Sequence, residues 1–138
     1  MPIFELTHDI LFPPCELAHK SGLLAAGGDL SPKRLIAAYR QGIFPWYSKG
    51  EPILWWSPDP RFVIFPDELK ISNSMQRIIK SGRFQISYNK NFKEVIKGCK
   101  KKVRKNQEDT WIADEMIVAY CKLHKMGYAH SVEVWYKE

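Results

Sequence analysis

The side chains best suited to chemistry gather in two stretches. Residues 42–61, "GIFPWYSKGEPILWWSPDPR", hold Phe44, Trp46, Tyr47, Trp55 and Trp56 among four prolines. Residues 100–111, "KKKVRKNQEDTW", are a basic run that closes on Trp111. Flat rings beside positive charge suit nucleobases, because any base can stack on an aromatic face, at about 1–3 kcal/mol per base. Trp46 follows a Phe-Pro pair, and the stiff backbone can hold its ring at a surface. Trp55 and Trp56 lie in an apolar run. Filling the core is the expected use of at least one of them. For Trp46 and Trp111, composition leaves core and surface open.

Other groupings point to structure. Gly22 and Gly27 have the spacing of a phosphate loop, but Gly28 stands where its lysine belongs. A glycine turn leading into a capped helix is the expectation. Cys121 and His124 lie three apart on a helix, and no second ligand pair accompanies them. No nucleophile turn marks a Ser/His/Asp relay. The acid pairs Asp67–Glu68, Glu108–Asp109 and Asp114–Glu115 fall at element ends, where acids favour helix starts. None has an apolar setting that would tune a proton acceptor. No catalytic residue, metal site or cofactor is therefore assigned.

These residues need elements to hold them. All nine prolines lie at or before Pro66, so the first half is expected to be short elements and turns. "DLSPKRLIAAYRQG" predicts a helix with Ser31 as cap, Pro32 in the first turn and Gly42 at the end, with Leu35, Tyr39 and Ile36 sharing a face. "PILWWS" and "PRFVIFP" predict strands bounded by proline. "SNSMQRIIKSG" predicts a helix capped by Ser72 and stopped by Gly82. "RFQISY" predicts a half-buried strand through Phe84, Ile86 and Tyr88. "NFKEVIKGCKKK" predicts a helix with an Asn91–Glu94 capping box, turning Phe92, Val95, Ile96 and Cys99 inward. "KKKVRKNQED" is expected to be an exposed basic loop. "DEMIVAYCKLHKMG" predicts a helix with Met116, Ile117, Tyr120, Leu123 and His124 at helical spacing. "HSVEVWYKE" predicts a last strand, whose lack of a following partner suggests a sequence cut within an element pair.

The 138 residues carry a net charge of +6. It is uneven: residues 70–105 hold twelve Lys/Arg and one acid, hence +11, and the remainder nine Lys/Arg and fourteen acids, hence −5. Such an excess is an electrostatic footprint for a polyanion or, alternatively, a solvated helix face with a basic loop. The N-terminus shows neither a basic leader nor an apolar run, so no signal peptide and no membrane partner are expected. Three separated cysteines, Cys15, Cys99 and Cys121, fit reduced thiols in a cytoplasm.

"GLLAAGGDLSPKRLIAAYRQGIFPWYS", "PILWWSPDPR" and "DTWIADEMIVAYCKLHKMGYAHSVEVW" together resemble the leucyl/phenylalanyl-tRNA–protein transferases, a bacterial aminoacyltransferase family. The resemblance covers most of residues 22–135. It implies transfer of Leu or Phe from aminoacyl-tRNA to proteins whose N-terminal residue is Arg or Lys, which marks them for degradation. It implies no cofactor, since the ester is already activated. By resemblance, Trp46 and Trp111 hold the terminal adenosine of the tRNA, and Tyr39 and Tyr120 belong to the same site. Lys100, Lys101, Lys102, Arg104 and Lys105 would then grip the tRNA backbone.

Ala113 departs from the Thr that the family usually has there, so the cap is expected to pass to Asp114. Relatives also continue beyond "HSVEVW", with an acetyltransferase-like fold, a pocket for the Leu or Phe side chain and proton-relay residues. The fold expected here is α+β: a small N-terminal α+β domain over 1–62, then the first part of an acetyltransferase-like (GNAT-like) domain over 63–138. The enzyme is expected to be incomplete and the last strand open to self-association. A stand-alone tRNA or nucleic-acid binding module and a structural remnant are the alternatives.

Overall fold

A computed structural model of the chain describes residues 3–101 and 112–136. The architecture is α+β. Four short strands form one sheet: β1 (Phe4–Leu6), β2 (Leu23–Gly27), β3 (Phe44–Pro45) and β4 (Leu54–Trp56). Their order is β1-β2-β4-β3, with β1 parallel to β2 and the other pairs antiparallel. Gly22 makes the turn into β2 possible. Its φ is +91°, and an added Cβ would lie 2.8 Å from the Pro58 backbone, so only glycine fits.

Helix α1 (Pro32–Arg40) starts as its sequence dictates. Ser31 Oγ accepts from the Arg34 amide at 3.3 Å, and proline occupies the first turn. Leu35 and Ala38 face the sheet. They join Leu24, Ala25, Ile43, Trp55, Ala119 and Leu123 in one core. Trp55 is fully buried. Its Nε1 donates to the Gly27 carbonyl at 2.9 Å, and the Phe12 ring meets it edge-on with centroids 5.0 Å apart. The core use expected of one of the paired tryptophans is thus Trp55's. Arg34 is also buried, which periodicity did not suggest. Its guanidinium donates to the Thr7 carbonyl at 2.8 Å, the Asp9 carbonyl at 3.2 Å and the Asp29 carboxylate at 3.3 Å, tying the N-terminal segment to α1.

The second half contributes helices α2 (Asn73–Lys80), α3 (Phe92–Lys101) and α4 (Asp114–Lys125), with strands β5 (Phe84–Tyr88) and β6 (Val132–Tyr136). Ser72 caps α2 as expected. β5 and β6 pair antiparallel, with Phe84 opposite Tyr136, Ile86 opposite Val134 and Tyr88 opposite Val132.

Several expectations are corrected. "PRFVIFP" forms no strand, and Phe62 to Phe65 are exposed. Proline at each end withholds ladder donors, and no described strand lies alongside. β5 has the expected alternation with the opposite face covered: Phe84, Ile86 and Tyr88 are exposed while Ser87 is buried. The inward face carries Glu133, which accepts from Ser87 Oγ and Ser131 Oγ at 2.6 Å each and from the Asn91 amide at 3.1 Å. These donors hold the Glu133 carboxyl down to about 2, below its ordinary 4.5. The Asn91–Glu94 box does not form, because Glu94 pairs with Lys97 at 2.9 Å while the Asn91 amide goes to Glu133. Cys99 is exposed, beyond the buried Phe92 end of α3. The start of α4 does not pass its cap to Asp114. Ala113 occupies the cap position without a side-chain bond, and Asp114 turns to Lys100 at 2.5 Å.

Candidate functional site

The turn between β3 and β4 carries Trp46. Its backbone is fixed on both sides: the amide donates to the Leu54 carbonyl at 2.9 Å, and Trp56 Nε1 donates to the Trp46 carbonyl at 2.6 Å. Pro45 before it is fully buried. Trp46 is 49% exposed, and its ring is tilted 52° to the Trp56 ring with centroids 6.4 Å apart. Arg61 supports the base of the turn, donating to the Gly42 carbonyl at 2.7 Å and lying 5.6 Å from the Phe44 ring centre. A half-exposed indole on a braced backbone can seat a flat ligand with little loss of order.

Tyr39 at the end of α1 and Tyr120 on α4 come together, 81 residues apart in sequence. Their hydroxyls hydrogen-bond to each other and their rings meet edge-on, 6.4 Å between centroids. Burial pushes both phenols up, and Tyr39 adds to the rise at Tyr120. Both therefore remain neutral hydroxyls near neutral pH. They can donate and accept, and cannot serve there as phenolate bases.

Tyr47, next to Trp46, is buried against Ile112 and Met116. Its hydroxyl donates to Glu115 Oε1 at 2.5 Å, and burial followed by the carboxylate pushes the phenol up. In the sequence Tyr47 belongs to the aromatic stretch without a role of its own. Glu115 reads as an ordinary acid at a helix start, and nothing local links it to a tyrosine 68 positions away.

Of the basic residues singled out, Lys100 bonds to Asp114, and Lys101 is exposed at the end of α3. Lys49, Gly50, Lys100 and Ile112 to Glu115 line a cleft at the start of α4. Trp111, Lys102, Arg104 and Lys105 lie outside the described residues. His124 stacks flat on Phe92 at 4.3 Å, and its Nδ1 donates to the Ala129 carbonyl at 2.8 Å. Among the described residues, no group of three or more His, Cys, Asp or Glu is placed to hold a metal, and no helix is long and apolar enough to cross a membrane.

The fold and site define an α+β protein that presents a half-exposed tryptophan on a braced turn and, between α1 and α4, a bonded pair of neutral tyrosine hydroxyls. The family model described as leucyl/phenylalanyl-tRNA protein transferase matches residues 63–138, and the model of its N-terminal domain matches residues 28–59. The chain belongs to that family. A leucyl/phenylalanyl-tRNA–protein transferase of Syntrophus aciditrophicus is 60% identical over 135 residues, 98% of this chain and 56% of the relative. Relatives of the same name from Syntrophobacter fumaroxidans and Flavobacterium johnsoniae are 53% and 57% identical over 99% of the chain. The chain spans 58% and 64% of their lengths.

Proposed function

We propose that the chain is the tRNA-end-holding part of an aminoacyltransferase that moves Leu or Phe from aminoacyl-tRNA to the N-terminal Arg or Lys of acceptor proteins. The supporting observation is the braced, half-exposed Trp46 ring in a chain of this family. The terminal adenosine would stack on Trp46, with Trp111 as the second ring. The Tyr39–Tyr120 hydroxyl pair would hold its polar edge. Stacking fixes the ester without reading base sequence. Lys100, Lys101, Lys102, Arg104 and Lys105 would neutralise acceptor-stem phosphates.

The reaction itself is attack of the acceptor's uncharged α-amine on the ester carbonyl. A tetrahedral oxyanion forms, and the adenosine 3′-oxygen leaves. We assign neither the proton acceptor nor the oxyanion donors to this chain. Residues 1–62 are taken as the N-terminal domain, and residues 63–138 as the opening part of an acetyltransferase-like domain. The two family models, which meet between residues 59 and 63, support that division. The setting is cytoplasmic, where charged tRNA is found. The open face of β5 and β6 would let two copies of the chain associate.

A transfer assay on the 138-residue chain tests this reading. Labelled leucyl-tRNA is supplied with a peptide starting in Arg. Binding of the charged tRNA without transfer is the expected result. Transfer would place the chemistry within these residues, and absence of both binding and transfer would overturn the proposal. The basic excess favours one second reading, a general nucleic-acid binding module. Its sign would be salt-sensitive binding indifferent to the 3′-aminoacyl group.

A further inference from the structure

We infer that Tyr47 and Glu115 form a positioning strut that fixes the Trp46 ring for its ligand, by tying the Trp46 turn to the first turn of α4. The inference rests on the stacking role proposed for Trp46.

Two backbone bonds at Trp46 tie it to its own sheet, since Leu54 and Trp56 both belong to β4. The Tyr47–Glu115 bond links the turn to a different element. That element, α4, also carries Tyr120, which bonds to Tyr39 on α1. Its approach begins with Ile112, which packs on Tyr47 and directly follows Trp111 in sequence. One strut therefore sets the turn bearing Trp46 against the helix bearing Tyr120.

Packing alone does not require this chemistry. A phenylalanine at position 47 would fill the same space between Ile112 and Met116. Burying a hydroxyl costs free energy unless it is bonded, so a buried phenol facing a carboxylate favours one register of the turn over neighbouring ones. The bond is charge-assisted, which makes it stronger and more directional than a neutral one. An acid at position 115 also favours the helix start, so the test must separate positioning from helix stability.

The test uses the full chain labelled with 5-fluorotryptophan, with the Trp46 fluorine signal assigned through Trp46→Phe. Tyr47→Phe and Glu115→Ala are each expected to shift or broaden the Trp46 signal and leave that of the buried Trp55 in place. Each is also expected to weaken binding of a 3′-aminoacyl-adenosine analogue about 3- to 10-fold, with the double variant no worse than either single one. Glu115→Gln, which keeps an acceptor, restores most of the affinity and the signal. An unmoved Trp46 signal in both single variants overturns the strut, as does movement of Trp55 together with Trp46. Failure of the unsubstituted chain to bind the analogue would instead overturn the stacking role, and the fluorine signals alone would then decide the strut.

Discussion

The four-stranded sheet buries Leu24, Ala25 and Trp55 beneath α1 and α4, whereas the β5–β6 ladder turns Ser87 and Glu133 inward and leaves Ile86 and Val134 in water. In β2 the adjacent Leu24 and Ala25 are both buried, whereas β5 and β6 each bury one face only. Alternation decides which side chains share a face. Which face is covered depends on what packs there. In the first sheet two helices supply the cover. In the second, the cover lies over the polar face, where Glu133 collects three donors. The difference separates a region held by apolar burial from one held by a charged hydrogen-bond network. The candidate site belongs to the first of these, since Trp46 lies between β3 and β4 and α4, which carries Tyr120, packs into the first sheet's core.

Trp55→Ala tests the buried side of this contrast most severely. It should cost about 3–5 kcal/mol by chemical denaturation, while Ile86→Ala stays within ~0.5 kcal/mol. Similar losses at the two positions would erase the distinction. Arg34→Met keeps the bulk and removes the donors to Thr7, Asp9 and Asp29. We expect a loss of about 2–3 kcal/mol and faster amide exchange in the N-terminal segment.

The polar network has a pH signature of its own. Glu133 is held at about 2 against an ordinary 4.5. Its charge therefore stabilises the fold above about pH 4.5, and that contribution disappears as pH falls toward 2. Glu133→Gln should flatten this part of a stability-against-pH curve, and an unchanged slope would show that the network matters little. The smallest effect on stability is expected from Ile86→Lys with Val134→Lys. Sedimentation should show concentration-dependent association of the unsubstituted chain and its loss in this variant, at little cost in stability.

Local chemistry made much of the fold legible. Ser31 and Ser72 announced their helices, and proline and glycine bounded them. Apolar spacing gave the inner face of α4 through Met116 and Leu123. Trp46 stood out as a candidate because ring and proline adjoin. Links between distant positions were not legible. No local pattern joins Arg34 to Thr7, Tyr47 to Glu115 or Ser87 to Glu133, because each bond depends on how elements meet in space. The same limit explains the Asn91–Glu94 box, whose spacing was right while stronger partners, Glu133 and Lys97, took its groups.

The central claim is that Trp46 is a platform for the adenosine at the end of an aminoacyl-tRNA. Calorimetric titration of a 3′-aminoacyl-adenosine analogue into the chain and its Trp46→Ala variant tests it most directly. The account predicts at least about tenfold weaker binding by the variant, with its fold retained by circular dichroism. Equal affinity in a folded variant would contradict it.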